Sequence, residues 1–195
     1  THPDRMAEQL ISDLEKRGKL ENLLQNGEFA SGKTNAAAAD NTPADWKTVG
    51  APANWSTWQA QESHGTFSQD NSISHSNDNS GAARLAKVKH RCLLNSLDVN
   101  PGDSYVVQAW NRQAGQGSCW MRVRWQTVEN KWTDEGSDVL LFGTKASDKN
   151  AWRKIQGVAT VPSDAGKMVL LLSAANQSTA QDVAWYDDVH VYKIQ

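Results

Sequence analysis

At 195 residues with 38% apolar side chains, the chain is long enough to bury a core of its own, and one domain is the expectation. A net charge of −2 lacks the basic excess that displaces counterions from a phosphate backbone, and no apolar run reaches the roughly 18 residues of a membrane helix. Nucleic acid and membrane are therefore not expected as partners, and a monomer is. Nine tryptophans against three phenylalanines and three tyrosines exceed what core anchoring requires. The surplus points to a surface that recognises something flat and amphipathic.

In chain order, the opening Thr1-His2-Pro3 lacks the layout of a signal peptide, so a preceding segment is expected. Met6, Leu10, Ile11 and Leu14 then recur at helical spacing, which predicts a helix over 4–17 with Asp4 as N-cap and Gly18 as its stop. After residue 20 the pattern changes to short alternating runs broken by Asn, Gly, Asp, Ser and Pro, as in an antiparallel sandwich. Residues 1–20 are thus expected to be a helix and linker from a preceding domain, and 21–195 an all-β module. Weaker strands are expected near 22–29, 83–88 and 92–99. The clearest lie at 104–113, 118–128, 152–161, 167–175 and 184–193, where β-branched or aromatic residues alternate. The run 36–43 is a small insertion, and 68–81 a long polar loop; 99–103 and 161–166 are strong breakers. Cys92 and Cys119, with no CxxC spacing, are either one disulfide or two buried thiols.

Alternation assigns faces. Tyr105, Val107 and Ala109 point inward on one strand and Gln108, Trp110 and Arg112 outward; on the next, Met121, Val123 and Trp125 point inward and Trp120, Arg122, Arg124 and Gln126 outward. With only the turn region 113–117 between them, the two strands are expected to be neighbours sharing one polar face. Trp55 and Trp58 lie in a loop or short strand at the rim, where three-residue spacing cannot place both on one face, so one is expected outside. The other, with Trp46, would plug the end of the core. Trp132 is expected at a hairpin tip, and Trp152 and Trp185 inside.

Two terminal motifs, Asn22-Leu-Leu-Gln-Asn-Gly-Glu-Phe29 and Ala184-Trp-Tyr-Asp-Asp-Val-His-Val-Tyr192, flank Val99-Asn-Pro-Gly-Asp-Ser-Tyr-Val-Val-Gln-Ala-Trp110. In this order and spacing they make residues 22 to 193 resemble the carbohydrate-binding modules of families 4, 9, 16 and 22, which are galactose-binding-like jelly rolls. The resemblance implies a jelly-roll sandwich behind one N-terminal helix, and a glycan-binding face made of the outward residues named above with Trp55, Trp58 and Trp132 at its rim. The helix leading into the first motif is similar to the junction that follows a glycoside hydrolase domain. The family usually carries an acid after the Phe of the opening motif, which helps bind a structural calcium. Here Ala30 stands in its place, leaving Asp187, Asp188 and Glu28 as metal candidates, although Asp187 and Asp188 are expected on opposite sides of their strand.

Indole faces stack on the C–H face of a pyranose, while Gln and Arg serve its hydroxyls. The arginines would also suit an acidic glycan. Enzyme signatures are weaker. Gly27-Glu-Phe-Ala-Ser-Gly-Lys-Thr34 matches GxxxxGK[ST], but no helix follows it and 168–172 ends in Ser173 rather than an aspartate. No acid pair, GxSxG or HExxH stands out, and His64 with His75, bracketing the polar loop, is the one pairing suggestive of a lyase. The expectation is non-catalytic glycan binding that targets an attached glycan-degrading enzyme, secreted, periplasmic or at the cell surface. The alternative is an accessory domain that docks against the catalytic domain without binding sugar.

Overall fold

The computed structural model describes residues 3–30, 51–60, 65–76, 78, 80–143 and 150–194. Trp46, His2, His64 and the 36–43 insertion lie outside them.

Among the described residues one α-helix, α1 (Pro3–Lys16), precedes ten strands. Its end is set by Gly18 at φ +65°, whose amide donates to Glu15 O while the Lys19 amide reaches Leu14 O, so two last-turn carbonyls are satisfied by a left-handed glycine. The strands are β1 (Ser56–Gln59), β2 (Thr66–Asp70), β3 (Ala82–Ala86), β4 (His90–Asp98), β5 (Ser104–Ala114), β6 (Ser118–Gln126), β7 (Val139–Leu141), β8 (Arg153–Thr160), β9 (Lys167–Ala175) and β10 (Val183–Ile194). They form two antiparallel five-stranded sheets, β1-β4-β9-β6-β7 and β2-β3-β10-β5-β8. The fold is the expected all-β sandwich behind one helix. No helix among the described residues is long and apolar enough to cross a membrane.

The core lies between the sheets, where Tyr105, Val107 and Ala109 face Met121, Val123 and Trp125, all of them inward as alternation requires. Trp55 and Phe29 join this core, with ring centroids 5.4 Å apart. Helix α1 lies on the outward face of the β10-containing sheet. There Ala7 and Leu14 bury against Val106 and Tyr192, while Met6 remains 48% exposed, so the apolar stripe is rotated from the expected one.

Four expectations need correction. The 22–29 region is not a strand but a series of turns docked on β10: Asn22 Oδ1 accepts from the Val191 amide (2.9 Å), its Nδ2 donates to Val189 O, and the Val189 amide donates to Gly27 O. A Cβ on Gly27 would stand 1.9 Å from Val189 O, so the glycine is required by close approach. The opening and closing motifs thus hold each other. Second, β5 and β6 are not neighbours. The 113–117 segment carries the chain from one sheet to the other, and no shared face joins Gln108, Trp110 and Arg112 to Arg122, Arg124 and Gln126. Third, Trp152 and Trp185 are half-buried on the outside of the sandwich rather than in the core; Trp185 donates from Nε1 to Asp70 Oδ2 (2.9 Å). Fourth, Asp187 and Asp188 do not diverge. A register shift between Asp187 and His190, with Asp188 at φ +46°, turns both carboxylates to residues 74–76.

Candidate functional site

The outward face of the β1-β4-β9-β6-β7 sheet is built row by row from its register. Trp58, Cys92, Ser173 and Trp120 stand opposite one another across four strands, and the next row is Ser56, Leu94, Leu171, Arg122 and Leu140. Two residues further along β6 comes Arg124, opposite Val169, and then Gln126, opposite Lys167 and bridged to Trp132. This pleated surface is a groove of about 380 Å³ floored by Leu94, Leu171 and Ser173, with Trp58, Trp120 and Trp132 around it. A second hollow of about 360 Å³ shares Leu94 and Trp132 and adds Asn54, Ser96 and Gln126, so the two adjoin.

Its walls have distinct chemistry. At one end the His90 ring meets Trp58 edge-on at 5.2 Å and Trp120 at 5.7 Å. Burial, with Arg122 nearby, holds His90 below the usual imidazole range, so it presents a neutral donor and acceptor. At the other end Trp132 is 45% exposed and the Arg124 guanidinium lies 4.5 Å from its ring centroid. Leu140 (53% exposed) and Phe142 (65%) mark the β7 rim. Arg122 and Arg124 are not loose: both reach Asp138 and Glu135, which a 3-10 turn at Glu135–Ser137 delivers to the groove. Cys92 and Cys119 are free thiols. They pair with different residues of β9 from either side, two strand spacings or roughly 10 Å apart, beyond disulfide reach.

Of the expected ligand residues, Trp58, Trp120, Arg122, Arg124, Gln126 and Trp132 share this groove. Trp55 borders the second hollow but offers it almost no surface: it is 1% exposed and its Nε1 donates to Asn26 O. Gln108, Trp110 and Arg112 lie on the opposite side of the sandwich. There His75 stacks on Trp110 at 3.9 Å and the Lys154 ammonium lies 5.4 Å from the same ring centroid, so that indole is already engaged. Gln108 Nε2 donates to Gln156 Oε1, and Arg112 lies over Trp185. His90, Glu135 and Asp138 were not singled out from sequence. His90 has the parity of Cys92 and Leu94 on β4 and could have been found that way, whereas the acids come from an aperiodic excursion with no such signal.

The acids named as metal candidates do not converge. Asp187 Oδ2 accepts from the His75 amide (2.7 Å) and Ser74 Oγ, and burial pushes its carboxyl up to about 7. Asp188 Oδ2 is taken by His75 Nδ1 (2.5 Å) and Ser76 Oγ, and Glu28 lies 3.4 Å from His190 Nε2. Among the described residues no three His, Cys, Asp or Glu side chains form a cation cage. In this arrangement Asp187 and Asp188 are already held by the backbone and side chains of residues 74–76, which does not offer their carboxylates to a calcium ion. In the GxxxxGK[ST] match Gly27 is locked against Val189, and residues 31–34 lie outside the described residues.

No family model and no curated protein matches the chain. Among solved structures, a family 4 carbohydrate-binding module superposes with TM-score 0.53 at 19% identity, covering 87% of this chain and 99% of the module. The Stig cyclase Fisc from Fischerella sp. TAU, in complex with an indole compound, gives 0.56 at 11% identity over 88% of this chain and 96% of that one. The enzymatically active domain of tailspike protein 4 from bacteriophage CBA120 gives 0.63 at 13% identity; 89% of this chain is covered but only 21% of the tailspike chain. At these identities the likeness is one of fold, and the fold hosts both binding modules and enzymes.

Proposed function

We propose that the chain is a non-catalytic glycan-binding module whose ligand lies in the groove on the β1-β4-β9-β6-β7 sheet. The observation that carries this reading is the convergence of Trp58, Trp120 and Trp132 on one open sheet face together with planar donors. Indoles offer apolar platforms to sugar rings, and Arg122, Arg124 and Gln126 serve hydroxyls. The groove's two carboxylates, Glu135 and Asp138, are bound to the same arginines rather than set against each other, which is not the opposed acid pair of a glycosidase. In a longer protein, secreted or at the cell surface, such a module would hold a glycan-degrading domain at its polysaccharide and raise local substrate concentration.

A glycan array followed by affinity electrophoresis tests this, comparing the native chain with Trp120→Ala and Trp110→Ala. Retention lost only in Trp120→Ala supports the groove. Retention lost only in Trp110→Ala moves the site to the other sheet. A folded native chain that binds nothing favours the second reading, docking against a neighbouring domain, for which the exposed Met6, Leu20 and Leu23 beside α1 are the motivating feature.

A further inference from the structure

Arginines in a glycan groove invite the expectation of uronate or sulfate, but their partners argue otherwise. Asp138, its side chain only 4% exposed, accepts from Arg122 Nε at 2.8 Å, lies 2.5 Å from Arg122 Nη2 and 3.0 Å from Arg124 Nε. Glu135 lies 3.4 Å from Arg122 Nη2 and 3.2 Å from Arg124 Nη2. The Nε/Nη2 edge of Arg122, which a ligand carboxylate would grip with two parallel bonds, is therefore already occupied. One face of Arg124 lies over Trp132. Two guanidinium charges meet two carboxylate charges, so the arginines bring no uncompensated positive charge to the groove.

We infer that the groove selects neutral glycans and rejects acidic ones, with Asp138 and Glu135 as the selecting residues. The inference rests on the glycan-binding reading above. An arriving carboxylate or sulfate must either displace the buried Asp138 or lie beside it and Glu135, and like charges set side by side in a partly desolvated site are a device for refusing a ligand. A hydroxyl meets neither obstacle: it accepts from the guanidinium N–H groups that remain and donates to a Glu135 oxygen. Glu135 is the adjustable half of the pair, its side chain being 69% exposed, whereas Asp138 is built in.

The test uses affinity gels cast with neutral polysaccharides (xylan, mixed-linkage β-glucan, galactan) or anionic ones (polygalacturonate, alginate, chondroitin sulfate). The native chain and Glu135→Gln are run at about 0.05 and about 0.5 M NaCl, across which surface charge interactions become strongly screened. The native chain should be retarded by neutral gels alone, its affinity changing less than about twofold with salt. Glu135→Gln, which frees positive charge, should gain retardation on anionic gels that high salt weakens by about tenfold. Retardation of the native chain by an anionic gel, reversed by salt, overturns the neutral selectivity and leaves the groove a glycan site. No retardation of either protein on any gel overturns the selectivity and the glycan reading together.

Discussion

On the β2-β3-β10-β5-β8 sheet most outward side chains are covered, with Trp110 and Trp152 bordering a hollow of about 260 Å³ beside α1. Helix α1 buries Val106 and Tyr192, residues 74–76 seal Asp187 and stack on Trp110, and Gln108 bonds to Gln156. On the β1-β4-β9-β6-β7 sheet no other described segment lies over the corresponding side chains, and the polar ones there bond to one another around an apolar floor. Both faces carry tryptophan, arginine and glutamine, so composition does not separate them. What separates them is whether another part of the chain already occupies the surface, and that decides which tryptophans are structural and which are available to a ligand.

The comparison can be broken by substitutions that should cost stability on one face and binding on the other. The largest effect is expected from Gly27→Ala, which puts a methyl group where the Val189 carbonyl stands and undoes the clasp beneath the covered face. Urea denaturation should show a loss of about 3 kcal/mol or more, the upper range for overpacking against backbone. A loss under about 1 kcal/mol would mean that the opening motif can shift without harm.

Trp110→Ala and Trp120→Ala should then dissociate in opposite directions. Losing the stacked Trp110 should destabilise by roughly 2 kcal/mol and leave glycan affinity intact, since the ring is stacked on His75 and contacted by Lys154. Trp120→Ala should weaken affinity about thirtyfold, the size of a binding hot spot, with a stability cost under about 1 kcal/mol. Paired thermal melts and calorimetric titrations read both.

The smallest effect concerns the corner between the sheets. Asp182 Oδ1 accepts from the Gln116 amide (2.8 Å) and Oδ2 from the Thr179 (2.7 Å) and Ser178 (2.9 Å) amides, which hold its carboxyl down to about 2. A depressed carboxyl adds stability that is complete above the unfolded value near 4 and is lost as pH falls through about 2. Melts between pH 5 and pH 2 should therefore fall less steeply for Asp182→Asn than for the native chain. Parallel curves would mean that this corner does not titrate with folding.

Much of the groove could be read from residue order, though not its grouping. The alternation Trp120-Met-Arg-Val-Arg-Trp-Gln126 placed β6 correctly, and the three-residue spacing of Trp55 and Trp58 separated a core residue from a surface one without saying which was which. Phe29, packed against Trp55 with its ring tilted, makes that choice from a distant part of the chain. The expected union of Trp110 with Arg122 does not form, because the 113–117 corner, with Gly115 at φ +71° and Gly117 at φ +128°, carries the chain between sheets instead of pairing β5 with β6. Glu135 and Asp138 could not be read at all, since nothing periodic links an irregular excursion to the strand it folds over.

The amino-acid sequence by itself determined the sandwich class, the N-terminal helix with its glycine stop, and which residues of β5 and β6 face the core. Those features follow from backbone periodicity, capping and side-chain alternation, which are local. Only the tertiary structure decided which strands are neighbours, which outward face is covered, and that each arginine in the groove already has a carboxylate. These depend on strand order and on contacts between residues distant in sequence, for which no local pattern carries the information.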